Sequence, residues 1–271
     1  MLNSVLRTSL SGLNAAGIAI RTSANNLANA QTDGFQASSV VFAEQTPGRL
    51  NSESQAAGGG VQVASIDRNQ TGGAIVLDRD PLQMAIEGNA FFALLAEDGQ
   101  RVYTQNVRLG IDADGQLVDR KGARVLGNNV DANFRLDRTE IEAIQLPLAR
   151  SPAPNARLNR VEVSENGEVR GSYSDGVSRI MGQIRMTEFA DASNLREIPD
   201  TRFTEGLGSG LATFSADGSS RIVSGARRLS NTDIAGDLVS LTKSGVMFRA
   251  NLQVLETSEE LLESLYGLGR R

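Results

Sequence analysis

The sequence predicts an α+β protein, in which long N- and C-terminal helices pair as a coiled coil and enclose an antiparallel β-rich middle domain. Heptad-spaced apolar residues occur near both ends of the chain, and short alternating runs separated by Asx-Gly turns fill the middle. These are signals for partnered helices and for β-hairpins. The predicted boundaries are a terminal-helix domain (1–30 and 233–271), an extended connector (31–65 and 215–232) and a β-rich domain (66–214).

The C-terminal helix is predicted from Ile234 to about Tyr266, roughly 50 Å at about 1.5 Å per residue. Its apolar residues follow alternating steps of three and four, with Gly245 and Glu259 filling two gaps. A repeat kept this long predicts a narrow seam toward another helix. Ser230 to Asp233 supply N-capping oxygens. The seam comprises Leu238, Leu241, Phe248, Leu252, Leu255, Leu262 and Tyr266.

The N-terminal helix is predicted over residues 3 to about 29, with Leu6, Leu13, Ile20 and Leu27 seven residues apart. The second seam positions are Leu10, Gly17 and Ala24, and the small residues among them allow close approach. The two helices can pack against each other inside one subunit. The last helix nevertheless carries a second apolar surface that one partner helix cannot cover, which favours self-assembly of copies through the terminal helices. This surface comprises Val239, Val246, Val254, Leu261 and Leu265.

The middle of the chain predicts an antiparallel β domain. Phe91 to Leu95 is a candidate buried strand, and Asp-Gly or Asn-Gly turns follow it at short spacings. Such turns between alternating runs favour hairpins. The turns end at Gly99, Gly115, Gly167 and Gly176.

The composition argues against most catalytic and binding classes. The 271-residue chain contains no cysteine and no histidine, its net charge is −5, and only 4% of its residues are aromatic. Thiolate chemistry and the commonest general base are therefore excluded, and a nucleic-acid footprint is not expected. We expect no catalytic residue, no cofactor, no metal site and no small-molecule substrate. No run is long enough to span a membrane, and no cleaved signal peptide is predicted.

Three short motifs imitate functional sites. Residues 112–115, Asp-Ala-Asp-Gly, begin like a calcium loop, but the later ligands do not follow. Residues 206–210 are Gly-x-Gly-x-Gly but lack the Lys-Ser/Thr of a phosphate loop. Ser240 and Lys243 form a Ser-x-x-Lys within the last helix, without the companion motifs of that enzyme class. We interpret these as a turn, a loop and two polar residues outside the seam.

Several longer motifs resemble those of bacterial flagellar rod and hook proteins. The N-terminal stretches are Ser11–Ala16 and Ala24–Phe35, the latter reading Ala-Asn-Asn-Leu-Ala-Asn-Ala-Gln-Thr-Asp-Gly-Phe. Gly88–Phe92 opens the β-rich region in the manner of this family, and residues 230–234, Ser-Asn-Thr-Asp-Ile, resemble its C-terminal signature. The motif residues carried over are Asn25, Asn26, Leu27, Ala28, Asn29, Gly34, Phe35, Ser230, Asn231 and Asp233.

The resemblance implies a structural subunit of the flagellar basal-body rod. Copies would assemble helically into a hollow, torque-transmitting shaft, with the terminal helices lining an inner tube and the β domain outside. The implied partners are further copies, other rod and hook proteins and the flagellar export apparatus, which exports the chain without a cleaved leader to a rod that spans the periplasm.

Alternatives remain within this family and outside it. The short chain favours a distal rod subunit, with a proximal rod subunit or a short hook protein as alternatives. Residues 244–248, Ser-Gly-Val-Met-Phe, depart from the Gln-Arg-Ala-Tyr-like segment that is common in the family. From a different class, a soluble β-domain adaptor or chaperone with a self-contained helical stalk also fits.

Overall fold

The computed structural model describes residues 2–45, 58–148, 157–214 and 219–268. The chain divides into two compact units. The helical unit comprises Met1–Gln31, Gln36–Thr71 and Asn231–Arg271, and the β unit comprises Thr32–Phe35 and Gly72–Ser230. Two long terminal helices and an antiparallel, β-rich middle confirm the predicted α+β class.

The helical unit is built from one helix at each end of the chain and one hairpin. Helix α1 is Leu2–Ala28 and helix α2 is Ile234–Leu268. The C-terminal end of α1 lies next to the N-terminal end of α2, where Asn26 contacts Asp237. From this contact the two helices run alongside each other, so the pair is antiparallel. Helix α2 is continuous through Gly245, although glycine in a helix interior costs about 1 kcal/mol relative to alanine.

The hairpin of the helical unit covers most of the stretch predicted as an extended connector, residues 31–65, and continues past its end to Arg68. Strands β1 (Ser38–Glu44) and β2 (Val61–Arg68) pair antiparallel, from Ser38 opposite Arg68 to Glu44 opposite Val61, with a register shift between Val41 and Phe42. The hairpin contacts α1. The Oγ of Ser11 accepts the amide of Val61 at 3.1 Å, which ties the start of β2 to this helix.

The β unit contains one large antiparallel sheet and two smaller ones among its described residues. The central order of the large sheet is β12-β13-β14-β10-β5-β6-β17-β16. Its members are β5 (Phe91–Leu95), β6 (Arg101–Thr104), β8 (Gly110–Ile111), β9 (Leu117–Val118), β10 (Arg124–Asn128), β11 (Glu142–Ala143), β12 (Leu158–Val163), β13 (Glu168–Tyr173), β14 (Ser178–Ile184), β15 (Met186–Glu188), β16 (Arg196–Ile198), β17 (Arg202–Thr204) and β18 (Thr213–Phe214).

The smaller sheets join the beginning of this unit to its end. Strand β4 pairs with β7 and β19, and β3 pairs with β20. A 3-10 helix, Ala192–Asn194, precedes β16. The strands are β3 (Ile75–Leu77), β4 (Gln83–Glu87), β7 (Asn106–Arg108), β19 (Arg221–Ser224) and β20 (Ala226–Arg228).

The predicted Asx-Gly turns place glycine where the backbone is left-handed. Gly99, Gly115, Gly167 and Gly176 have φ between 79° and 84°. Glycine has no Cβ to oppose this conformation. The Asp or Asn side chain before the glycine also stabilises the turn. At residues 98–100, for example, the Oδ1 of Asp98 accepts the amide of Gln100 at 2.9 Å.

The β unit has two neighbouring apolar clusters. The larger is built from strands of the large sheet and of the sheet formed by β4, β7 and β19, and it includes Phe92, Leu94, Val125, Met181 and Ile222. The smaller is aromatic: the ring of Phe91 meets those of Phe189 and Phe203 edge to face at centroid distances of 5.9 and 5.7 Å. Burial of these side chains stabilises the unit by about 1.5–3 kcal/mol each. The candidate strand Phe91–Leu95 is confirmed as part of this core.

No helix in the described part of the chain has the length and apolar character needed to cross a membrane.

Candidate assembly surface

Small residues form the stripe of α1 that packs against α2. Apart from Ala15, the buried positions of α1 follow steps of three and four, but they are shifted by one residue from the leucines of the predicted seam. The approach is closest at Gly12, where an added Cβ would lie 2.7 Å from the Oδ1 of Asn251. The buried stripe comprises Ser9, Gly12, Ala16, Ala19, Ser23 and Asn26.

Helix α2 meets this stripe with alternating polar and apolar residues. Three predicted seam residues, Leu241, Leu255 and Leu262, are half-buried. Between them, Ser244 and Ser258 are buried, and their spacing continues the three-four pattern. The hydroxyl of Ser258 donates to the carbonyl of Val254 at 2.7 Å, so its burial leaves no donor unsatisfied. One edge of the predicted seam therefore faces α1.

The remaining predicted seam residues lie closer to solvent. On α1, Leu6, Leu13, Ile20 and Leu27 are half-buried and Leu10 is exposed. On α2, Leu238, Phe248 and Leu252 are exposed, and the side chain of Tyr266 lies outside the described side chains.

The apolar residues predicted outside the seam add to this exposed surface. Side-chain exposure on α2 ranges from 37% at Phe248 to 68% at Val239. Large exposed apolar patches mark interaction sites more often than chance surface exposure does. We call this set the α2 apolar surface: Leu238, Val239, Val246, Met247, Phe248, Leu252, Val254 and Leu261.

Asn26 joins three parts of the helical unit. Its side chain is only 3% exposed. Its Nδ2 donates to the carbonyl of Ser38 at 2.8 Å and to the Oδ1 of Asp237 at 3.0 Å, and its Oδ1 accepts the amide of Ser38 at 2.9 Å. The family motif thus fixes the end of α1, the start of β1 and the first turn of α2 at one point.

Asn231 and Asp233 shape the chain before α2. The Oδ1 of Asn231 accepts the amide of Ala37 at 2.6 Å, and its Nδ2 donates to the carbonyls of Asn69 and Thr71 at 2.9 and 2.6 Å. The Oδ1 of Asp233 accepts the amide of Ala235 at 3.2 Å, as expected for the predicted N-cap.

The other motif residues of the helical unit have local roles. Asn29 donates from its side chain to the carbonyl of Asn25 at 3.0 Å, which closes the last turn of α1. Asn25 and Ala28 are exposed, and Leu27 is half-buried.

Gly34, Phe35 and Ser230 belong to the β unit. Gly34 has φ +77°, and its amide donates to the carbonyl of Arg228 at 2.8 Å. The Nδ2 of Asn106 donates to the same carbonyl at 2.8 Å, and its Oδ1 accepts the Arg228 amide at 2.9 Å. Phe35 is buried and Ser230 is half-buried.

The side chain of Arg228 completes this cluster from the inside of the β unit. Its guanidinium is buried and donates to the carbonyl of Ile86. Burial lowers the pKa of Arg228, and the negative charge of Glu87 partly opposes this shift. The arginine is nevertheless always protonated, so this charge is part of the structure of the β unit.

The structure places the enzyme-like motifs in structural roles. Asp112 accepts the amides of Asp114 and Gln116 at 3.0 and 2.7 Å, which is a turn. Ser240 and Lys243 lie on α2. Among the described residues, no group of three or more acidic side chains is arranged to hold a metal ion.

Sequence reasoning missed the small-residue stripe of α1. Its signal was present, because Ser9, Gly12, Ala16, Ala19 and Ser23 keep the same three-four spacing as the leucines. The seam was predicted from large apolar residues, whereas two helices approach each other closely only where the side chains between them are small.

Two family models match parts of this chain. Residues 6–36 match the family model "Flagella basal body rod protein", and residues 85–171 match "Flagellar hook protein FlgE/F/G D1 domain". The first match contains most of α1 and the Asn26 motif, and the second contains the strands from β5 to β12.

Curated relatives match along nearly the whole chain. The flagellar basal-body rod protein FlgG of Caulobacter vibrioides is 25% identical over 96% of this chain and 97% of its own length. FlgG of Borreliella burgdorferi is 27% identical over 98% of both chains. The hook protein FlgE of Escherichia coli is 33% identical, but the match covers 67% of this chain and 53% of that protein.

The full-length matches are to rod proteins, while the hook protein matches over about half of its length. The hook alternative is therefore less supported than the rod assignment, and the role is structural rather than enzymatic. The chain belongs to the bacterial flagellar rod and hook protein family, as a flagellar rod protein that resembles the distal rod protein FlgG.

Proposed function

We propose that this rod protein assembles helically with copies of itself, through the α2 apolar surface and the exposed edge of α1. The observation that carries the proposal is that large apolar side chains remain exposed on α2 after it has packed against α1. Full burial of a completely exposed side chain of this size is worth about 1.5–3 kcal/mol, and these residues, which are 37–68% exposed, have part of that still to gain on assembly. Several of them on one helix give a strong driving force for association.

The proposed interface follows the residues of the predicted seam. Leu10 on α1 and Leu238, Phe248 and Leu252 on α2 are exposed and available to neighbouring copies. The half-buried members share their surface between the partner helix and these neighbours. They are Leu6, Leu13, Ile20, Leu27, Leu241, Leu255 and Leu262; Tyr266 is included on spacing alone.

The pairing of α1 and α2 is proposed to act as a coiled coil that lines the inner wall of a hollow shaft. The three-four spacing of the buried positions supports this. When a surface on one copy binds a different surface on the next copy, the same contact can repeat from copy to copy. The result is an open helical polymer if the rotation between copies does not close a ring. Torque then passes along the wall, and the lumen serves as the export channel.

The proposed partners and location follow from the family. Rod and hook proteins adjoin the shaft at its ends, and the export apparatus delivers the chain to the periplasm-spanning rod without a cleaved leader. The domain boundaries at residues 30, 65, 214 and 232 are proposed to separate the inner tube, connector and outer layer.

The test replaces Leu252 by aspartate. Leu252→Asp places a charge on the α2 apolar surface and is expected to abolish polymerisation, while the circular dichroism of the β unit is unchanged. Gln253→Asp adds the same charge at the adjacent exposed position and serves as the matched control. Sedimentation and electron microscopy give the readout, and normal polymers from Leu252→Asp would contradict the proposal.

A soluble adaptor with a helical stalk makes the opposite prediction for the wild-type chain. It remains a monomer at every concentration, with both helices protected from hydrogen exchange. The rod subunit is expected to polymerise as its concentration rises, and its helices gain further exchange protection in the polymer.

A further inference from the structure

A cavity of about 640 Å³ opens on the β unit, and three arginines line it. Arg138 lies between β10 and β11, Arg185 lies between β14 and β15, and Arg221 begins β19. The volume falls within the range of about 300–1,000 Å³ that is typical of small-molecule sites. We call this site the arginine cavity.

Only one of the three arginines has a carboxylate partner in the described part of the chain. The Nε of Arg221 donates to the Oε2 of Glu87 at 2.7 Å, and its Nη1 lies 3.9 Å from the Oε2 of Glu165, which also lines the cavity. Arg138 and Arg185 form no ion pair with any described residue. The cavity therefore presents two cations whose charge is not neutralised.

Arg185 is fixed in position and partly removed from water. Its backbone amide donates to the carbonyl of Leu126 at 3.4 Å, and the residues on either side of it pair in strands β14 and β15. Its side chain is half-buried, and its Nε is shielded from solvent without a hydrogen-bond acceptor among the described residues. Because the surroundings have a lower dielectric constant than water, this guanidinium attracts an anion more strongly than a fully exposed one does.

The remaining wall of the cavity is partly aliphatic. Ile141, Ile184 and Met186 line it; Ile184 is buried, and the other two are half-buried. A small inorganic anion would fill only part of the volume and leave these side chains in contact with water. The lining therefore favours an organic anion with an apolar group.

We propose that the arginine cavity binds an organic carboxylate with an aliphatic body. The guanidinium of Arg185 donates to the carboxylate, because arginine presents paired N–H groups that match its two oxygens. Arg138 adds a second positive charge from an exposed position. The proposal concerns a bound ligand and not a reaction. It goes beyond the proposed self-assembly, since the cavity lies in the β unit and does not involve the α2 apolar surface.

Isothermal titration calorimetry of the full chain tests the site with N-acetyl-L-leucine as the probe. This probe has one carboxylate and one aliphatic side chain, and N-acetyl-L-leucinamide is its uncharged counterpart of nearly the same shape. The carboxylate is expected to bind at least tenfold more tightly than the amide. Absence of binding, or equal binding of the two probes, would overturn the proposal.

Inorganic phosphate is the third probe and tests the role of the aliphatic wall. It is expected to bind more weakly than N-acetyl-L-leucine, because it has no group to cover Ile141 and Met186. Equal or tighter binding of phosphate would show a general anion site and contradict the assignment of an organic ligand.

Glutamine at Arg185 is expected to lower the affinity for N-acetyl-L-leucine at least tenfold, because it removes the charge that pairs with the carboxylate. Arg135→Gln is the matched control: Arg135 is exposed, also follows β10 and does not line the cavity. Urea unfolding checks the fold, and Arg185→Gln is expected to be at least as stable as the wild type, since it removes an unpaired, partly buried charge. Unchanged affinity in Arg185→Gln would overturn the proposal.

Two further variants keep the test independent of the stability of Arg185→Gln and of polymerisation. Arg138→Gln is expected to weaken binding by a smaller factor, because solvent screens its exposed charge. Leu252→Asp is expected to bind the probe as the wild type does, whatever its effect on polymerisation. Unchanged affinity in Arg138→Gln, or loss of binding in Leu252→Asp, would contradict the assigned cavity and leave the proposed function standing.

Discussion

Gly12 of α1 faces Asn251 of α2 so closely that a Cβ added to Gly12 would lie 2.7 Å from the Oδ1 of Asn251. The neighbouring helical glycine, Gly17, would place its Cβ in open space. Two glycines five residues apart on the same helix therefore have opposite roles: Gly12 permits the close approach of the helices, and Gly17 only weakens the helix.

Valine at Gly12 is expected to destabilise the helical unit, because the two helices must separate or the Asn251 side chain must leave the interface. Overpacking of this kind costs about 1–3 kcal/mol. Gly17→Ala is expected to stabilise the unit by about 0.5–1 kcal/mol, since alanine is the better helix former. Helical circular dichroism during urea unfolding measures both. A Gly12→Val variant as stable as Gly17→Ala would contradict the role given to the contact.

Alanine at Asn26 is expected to lower the stability of the helical unit by about 1–3 kcal/mol for each buried group left unsatisfied. The change leaves the amide and carbonyl of Ser38 without their partner. Asn25→Ala is the matched control, because Asn25 is exposed and adjacent. Hydrogen exchange at the Ser38 amide gives a local readout, and equal protection in the two variants would rule out the bridging role.

The alkaline stability of the β unit is expected to depend on Tyr103. Burial is the main cause that raises the pKa of Tyr103, and the hydrogen bond that its hydroxyl donates to Glu205 at 2.6 Å is the second. Because the folded pKa lies above the unfolded value of about 10, the native state holds the proton longer. This contribution is complete below about pH 10 and is lost as the pH rises further.

The measurement compares urea unfolding of the wild type and Tyr103→Phe between about pH 8 and 11. Phenylalanine cannot ionise, so the alkaline loss of stability is expected to be shallower in the variant. Burial also raises the pKa of Tyr173, which leaves a residual slope in both proteins. Identical slopes would show that Tyr103 ionises freely in the folded chain.

The fold class and the helix ends could be predicted because their signals are local. Gly99 and Gly115 follow aspartates in hairpin turns, and Asp233 caps α2, all within a few residues of sequence. Which face of α1 meets α2 could not be predicted, since leucines and small residues share the same period. The contacts that select the small face, such as Gly12 with Asn251, join residues far apart in the chain.

The proposed assembly surface could be predicted only in part, for a related reason. The spacing identifies Leu238, Phe248 and Leu252 as apolar positions, but it does not distinguish a partner inside the chain from a neighbouring copy. Burial in the structure shows which positions are covered within the chain, because Ser244 and Ser258 are buried while these three residues remain exposed. The polar bridges of Asn26 and Asn231 were identified by resemblance, and their chemistry emerged only from their hydrogen bonds.

Alanine at Gly34 is expected to destabilise the β unit more than alanine at Gly99 does. Both glycines are left-handed, with φ of +77° and +81°, so each substitution carries about 1–2 kcal/mol of backbone strain. At Gly99 an added Cβ meets nothing within 4 Å, whereas at Gly34 it would lie 2.9 Å from the Nδ2 of Asn106. Asn106 must then move, and its hydrogen bonds to the amide and carbonyl of Arg228 weaken. Urea unfolding of the two variants gives the difference, and hydrogen exchange at the Arg228 amide localises it. Equal losses of stability would mean that the contact between Gly34 and Asn106 contributes nothing beyond the turn.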